Sequence, residues 1–156
     1  MGEILTAGAK APDFILPREN GEKISLKSLR GSKVVLYFYP RADTPGCTKE
    51  AIAFNGKRKE FERARAVILG VSADPIPAQK KFGEKYGLVF PLLSDEIHAM
   101  LNAYGAWGEK SMYGRNFLGV RRITYLIDEK GGIAHVWPRV KVEGHAEEVL
   151  EAAQKL

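Results

Sequence analysis

The only cysteine of the 156-residue chain, Cys47, stands three residues after Thr44 and three before Glu50, a spacing that suits nucleophilic sulfur chemistry. Thr44-Pro45 reads as a helix start, with Thr44 the N-cap and Pro45 at the first helical position, where a missing N–H costs little. Cys47 then falls in the first turn. There the unpaired backbone N–H groups and the positive end of the helix dipole favour an anion, and so thiolate over thiol. The same N–H groups can hold a negatively polarised oxygen. Glu50 lies one turn on, on nearly the same face. A carboxylate alone would oppose a thiolate, so this pair makes sense only with a cation between or beside them. Out of context, a lone cysteine is more often a small buried hydrophobe than a reagent.

The elements around Cys47 argue for the reagent. Val34-Val35-Leu36-Tyr37-Phe38-Tyr39 is an apolar run rich in β-branched and aromatic residues, the pattern of a strand buried on both faces. The helix predicted from Pro45 to about Arg65 carries Cys47, Ala51, Phe54 and Phe61 on one stripe, which turns the sulfur toward the packed side. Ala66–Ser72 is a second buried strand, so strand, helix and strand imply a right-handed parallel crossover. Upstream, Ala11–Pro17 and Lys23–Leu26 flank a turn at Glu19–Glu22 and predict an N-terminal hairpin, followed by a helical turn from Leu26 to Arg30. Downstream, a helix is expected from Ala78 to Tyr86, an extended piece at Phe90–Ser94, and a helix from Asp95 to about Tyr104. Ala106–Leu118 has no periodicity and reads as a loop that could line a site or contact a partner. Arg121–Asp128 and Ile133–Trp137, separated by Glu129-Lys130-Gly131-Gly132, form a hairpin, and a last helix runs from Glu143 to Gln154. The whole predicts an α/β thioredoxin-like sandwich: a central mixed sheet, helices on both faces, and an N-terminal hairpin extension.

Length and a hydrophobic content of 45% suit a single domain, 1–156, with its own core. No apolar run approaches the ~20 residues of a membrane span and the first residues lack a signal peptide's apolar core, so a cytoplasmic protein without membrane contact is expected. One cysteine excludes an internal disulfide. The net charge of +5 does not point to nucleic acid, because the basic residues are interleaved with acids. The densest stretch, Lys57–Arg65, reads as an exposed helix face with pairs such as Arg58 and Glu62. His98, His135 and His145 lack metal-ligand spacing, and no metal or cofactor is implied. Gly105–Ser111 misses the spacing of a phosphate-binding loop. Trp107 and Trp137 read as packing residues.

In Pro40-x-x-x-Thr44-x-x-Cys47 the chain resembles the peroxiredoxins, and Thr44-Pro45-Gly46-Cys47-Thr48-Lys49-Glu50 is most similar to their peroxiredoxin Q or bacterioferritin comigratory protein branch. Ala11–Phe14, Gly70–Asp74, Phe90–Asp95 and Gly119–Asp128 match that branch in the same order, so the resemblance covers nearly the whole chain. It implies a thiol-dependent peroxidase acting on hydrogen peroxide and organic hydroperoxides through a sulfenic acid on Cys47. It further implies that Thr44 and the helix amides hold the peroxide, that Pro40 shields the site from water, and that Arg122 completes it with Glu50 holding the guanidinium. Read without the resemblance, Arg122 is a surface charge on an edge strand and Glu50 a solvated first-turn acid.

One departure from the family pattern bears on the cycle. Many proteins of this branch carry a resolving cysteine five residues after the nucleophile, and that position is Ile52. A one-cysteine cycle follows, in which an external thiol reductant such as thioredoxin, glutaredoxin or a small thiol regenerates Cys47. The chain is expected to act as a monomer or weak dimer. The competing reading is a peroxide sensor or redox relay that passes oxidation to a partner protein with little turnover.

Overall fold

The computed structural model describes residues 2–156. In chain order the elements are the hairpin strands β1 (Ile15–Pro17) and β2 (Lys23–Ser25), a single helical turn at Lys27–Leu29, and β3 (Lys33–Phe38). Next come α1 (Pro45–Gly56), α2 (Arg58–Arg63), β4 (Ala66–Ser72), α3 (Ile76–Tyr86), β5 (Leu92–Ser94) and α4 (Ala99–Ala103). The chain closes with β6 (Trp107–Met112), β7 (Arg115–Val120), β8 (Ile123–Ile127), β9 (Ile133–Trp137) and α5 (His145–Lys155).

The main sheet runs β5-β4-β3-β8-β9. The buried run at 34–39 becomes its central strand, parallel to β4 and antiparallel to β8. Alternation along β3 divides the core. Val34, Leu36 and Phe38 pack with α4 and the N-terminal hairpin on one face. Val35, Tyr37 and Tyr39 pack with α1, α2, α3 and α5 on the other. This is the expected thioredoxin-like sandwich of a mixed sheet with flanking helices, weighted toward one face. The N-terminal hairpin also covers a sheet edge, since Arg18 bridges to Leu93 and the Leu92 amide donates to Glu19 Oε1 at 3.0 Å. An uncovered edge strand invites pairing with another chain.

Several boundaries differ from expectation. The long helix breaks at Lys57, where φ is −106° and ψ 10°. Asn55 and Gly56 are weak helix formers, and the Asn55 amide is committed elsewhere, donating to the Gly87 carbonyl and accepting from the Val89 amide. Phe61 still reaches the core, its ring 6.0 Å from that of Phe54. Arg58 donates to the Asn55 carbonyl instead of pairing with Glu62, while Lys57 pairs with Glu147 on α5. The helix expected from Asp95 begins only at Ala99 because His98 takes a left-handed conformation. Gly144, also left-handed, delays the last helix to His145.

The stretch read as a loop is a two-stranded ribbon. β6 and β7 pair antiparallel from Trp107 with Val120 to Met112 with Arg115. Tyr113 and Gly114 turn the chain at φ +52° and +75°, the left-handed pair of a two-residue hairpin turn. The strand expected from Arg121 starts at Ile123, which leaves Arg121 and Arg122 as the link between β7 and β8.

Candidate active site

Ile123 pairs with Phe38 at the end of β3 where the chain leaves for α1. Arg122, one residue earlier, is thereby held over the first turn of α1. Its guanidinium is a bridge: Nη2 donates to Cys47 Sγ at 3.4 Å and Nη1 to Glu50 Oε1 at 2.7 Å. Cys47 and Glu50 are both 1% exposed. The cation that the pairing of Cys47 and Glu50 demanded is therefore present, and both alternatives of a solvated acid and a free surface charge fail on burial and contact. Planar guanidinium suits the task because its nitrogens can serve partners in different directions at once.

The site is electrostatically tense. Burial pushes the Glu50 carboxyl up to about 7, against the opposing pull of Arg122. Its Oε2 has no partner among the described residues, which leaves that oxygen free to carry a proton while Oε1 accepts from Arg122. Burial works against the charge of Arg122, but Glu50 and Cys47 outweigh it and raise the group above its ordinary value. His145, buried beside Thr124 with 2.8 Å between Nε2 and Oγ1, is pushed down to about 4 by burial and by Arg122. It remains neutral at neutral pH. Lys110 on β6 is lowered by burial and then by the charge of Arg122.

Thr44 is the N-cap residue in extended conformation, yet its side chain makes no capping bond. Its hydroxyl donates to the Arg41 carbonyl at 2.7 Å, and the first helical bond runs from the Thr48 amide to the Thr44 carbonyl. The Gly46 and Cys47 amides precede that bond and have no helical acceptor. Pro40 is half-buried and borders a cavity together with Arg122. Pro40, Thr44, Cys47, Glu50 and Arg122 thus gather at the join of β3, α1 and β8.

Sequence reasoning overlooked three contributors. Gly46 gives room to the guanidinium, since a Cβ on it would lie 3.2 Å from Arg122 Nη2. A buried polar chain underlies the loop before α1: Tyr39 donates to Gln79 Oε1, and Gln79 Nε2 donates to Ser72 Oγ. Ser72 Oγ donates in turn to Asp74 Oδ2, which also accepts from the Ala42 amide at 2.8 Å. At the loop's outer side Asp43, with φ +60°, accepts from Lys85 Nζ at 2.9 Å and from the Tyr86 hydroxyl at 2.7 Å. Only Gly46, next to the sulfur, had a local signal. The others meet from distant positions.

Among the described residues no group of three or more His, Cys, Asp or Glu could hold a metal, and no helix is long and apolar enough to cross a membrane. Trp107 stacks on His98 and Trp137 on His135, so both indoles are engaged in packing.

Residues 7–136 match the model of the AhpC/TSA family. The chain is 47% identical over 146 residues to a putative peroxiredoxin bcp of Coxiella burnetii, covering 94% of this chain and 97% of the relative. It is 42% identical to peroxiredoxin Bcp of Escherichia coli, covering 94% of each. Among solved structures, a mutant PrxQ of Xylella fastidiosa superposes with a TM-score of 0.93 at 34% identity, covering 99% of this chain and 98% of the other. A bacterioferritin comigratory protein of Xanthomonas campestris, described for its alkyl peroxide reduction activity, gives 0.90 at 39% identity, covering 96% and 98%. Likeness along nearly the full length, joined to a lone sulfur under an arginine, makes this chain a one-cysteine thiol peroxidase that belongs to the peroxiredoxins, on their peroxiredoxin Q or bacterioferritin comigratory protein branch.

Proposed function

We propose that Cys47 is the peroxidatic nucleophile and that Thr44, Arg122, Pro40 and Glu50 serve it in distinct ways. The observation that carries this reading is the Arg122 bridge, with one nitrogen on the sulfur and another on Glu50. The Cys47 thiolate attacks one oxygen of a hydroperoxide, the O–O bond breaks, and the leaving oxygen departs as water or an alcohol once protonated. Arg122 stabilises the thiolate and then the charge moving onto the leaving oxygen. Glu50 is a positioning residue that fixes the guanidinium. Because the Thr44 hydroxyl donates to Arg41, its oxygen is left as an acceptor for a peroxide O–H. The free amides of Gly46 and Cys47 hold the oxygen anion. Pro40, which brings no N–H, shields the sulfur from water.

Hydrogen peroxide and organic hydroperoxides both fit this chemistry, the latter supported by the alkyl peroxide reduction described for the Xanthomonas relative. Thioredoxin, glutaredoxin or a small thiol would regenerate Cys47, because the chain has no second cysteine. The same reading takes residues 1–156 as a single cytoplasmic domain acting as a monomer or weak dimer. Steady-state peroxide consumption with each thiol donor tests the function. Sustained consumption that vanishes in Cys47→Ser is the expected result. Consumption of a single equivalent with every donor would instead favour a relay.

A further inference from the structure

Pro40 and Arg122, the latter in contact with the sulfur, also line a cavity of about 550 Å3. The β6–β7 ribbon walls one side through Lys110 and Glu109, and the segment after β9 walls the other through Arg139. That segment is tied to the site, since the Val140 amide donates to the Arg122 carbonyl at 3.2 Å. Arg121 lies against the backbone of Gly108, where a Cβ would come within 2.5 Å of its Nη2. Lys110 Nζ donates to the Val120 carbonyl at 2.9 Å and leaves its charge uncompensated. None of Lys110, Arg121 and Arg139 forms an ion pair among the described residues, and Glu109 is the one acid in the lining. A concave site lined by one sign of charge raises the local concentration of the opposite sign.

We propose that this cavity binds the carboxylates of a small anionic thiol and delivers its sulfur to oxidised Cys47. The inference rests on Cys47 being the peroxidatic residue. The placement favours the reductant over the peroxide: Pro40 and Arg122 line the cavity whereas Thr44 and the residues of the helix start do not, and its basic residues, set among Ile4, Pro138 and Val140, suit a carboxylate on a short carbon frame. A chain without a second cysteine also needs a thiol brought to the site in every cycle. In the first step the thiol sulfur attacks the Cys47 sulfenic acid, an S–S bond forms, the S–O bond breaks, and hydroxide leaves as water with the proton of the thiol. A second thiol then attacks the mixed disulfide, releasing the small disulfide and restoring Cys47. Two thiols lose the two electrons that the peroxide gained.

The test separates the half-reactions. The protein is first treated with one equivalent of hydrogen peroxide, and addition of one oxygen to Cys47 is read by intact mass before any thiol is present. Mercaptosuccinate, 2-mercaptoethanol and cysteamine are then added, and their rate constants are compared per thiolate. Mercaptosuccinate should react about tenfold faster than 2-mercaptoethanol, equivalent to ~1.4 kcal/mol, with cysteamine slowest and the preference fading as salt is added. Arg139→Glu, at an exposed position, and Lys110→Gln should each narrow the ratio. Equal rates for the three thiols, or a ratio untouched by both substitutions, overturn the proposal and leave the peroxidase reading intact. So does a charge preference that is confined to the oxidation step when a carboxylated hydroperoxide replaces hydrogen peroxide. Failure of Cys47 to gain oxygen at all overturns both.

Discussion

Glu50→Gln isolates the electrostatic cost built into the site. The Glu50 carboxyl is 1% exposed, its Oε2 has no partner among the described residues, and burial lifts it from an ordinary 4.5 to about 7. In the unfolded chain the proton leaves near 4.5, whereas in the folded protein it stays until about 7. Unfolding therefore releases a proton throughout that window, so raising the pH favours the unfolded state. The stabilisation is complete below the unfolded value and is lost as the pH rises through the folded one. At roughly 1.4 kcal/mol for each tenfold change in protonation, the loss is on the order of 3 kcal/mol. Glutamine has the shape of the protonated acid, keeps an oxygen for Arg122, and does not titrate. Urea unfolding of both proteins across about pH 4.5 to 8 should show the parent losing on the order of 3 kcal/mol relative to the variant, with most of that gap open by neutral pH. Parallel curves over the whole range would refute the reasoning, because they would mean that Glu50 titrates alike in both states.

Arg122→Lys keeps the charge but has one nitrogen where the bridge uses two, so oxidation of Cys47 by peroxide should slow by about 10²-fold or more, with circular dichroism unchanged. Gly46→Ala places a methyl 3.2 Å from Arg122 Nη2, and stopped-flow oxidation should slow while the unfolding midpoint stays near that of the parent. With excess peroxide and no thiol, intact mass should show one added oxygen on Cys47 and then the sulfinic and sulfonic forms; prior addition of a thiol should restore the free cysteine. Ile52→Cys should divert the oxidised form into an intramolecular disulfide, visible as a loss of mass relative to the sulfenic acid, only if the first turns of α1 unwind.

What the sequence disclosed and what it hid follow from how strongly each feature is written locally. β3 and β4 were plain because strands buried on both faces must be apolar throughout. The Thr44-Pro45 helix start and the Lys130-Gly131 turn were plain because they use residues chosen for backbone reasons. Arg122 and Glu50 were reached from a chemical requirement and a resemblance, and the geometry joins them. The β6–β7 ribbon was hidden because it stands apart from the main sheet. Ser111 to Leu118 are all exposed, so no inward face imposes a two-residue period on them. The break at Lys57 was hidden because the apolar stripe runs through it, from Phe54 to Phe61. The chain from Tyr39 through Gln79 and Ser72 to Asp74 had no signal at all, since each polar residue finds its partner only in the fold.

That hidden chain explains how a lone cysteine is kept ready. The loop from Pro40 to Thr44 is held from beneath by Asp74 on the Ala42 amide, from outside by Lys85 and Tyr86 on Asp43, and across itself by Thr44 on Arg41. Every tie restrains the residues that present the first turn of α1 to the Arg122 guanidinium. A mechanism that formed an internal disulfide would have to break such ties, because a residue five positions after Cys47 lies about 140° around the helix, and disulfide geometry needs the two sulfurs in contact. Ile52, which occupies that position, is 49% exposed while Cys47 is 1% exposed. The two side chains face opposite environments. With no internal partner to reach, α1 gains nothing from unwinding, and the reductant must come to a sulfur that stays where Arg122 holds it.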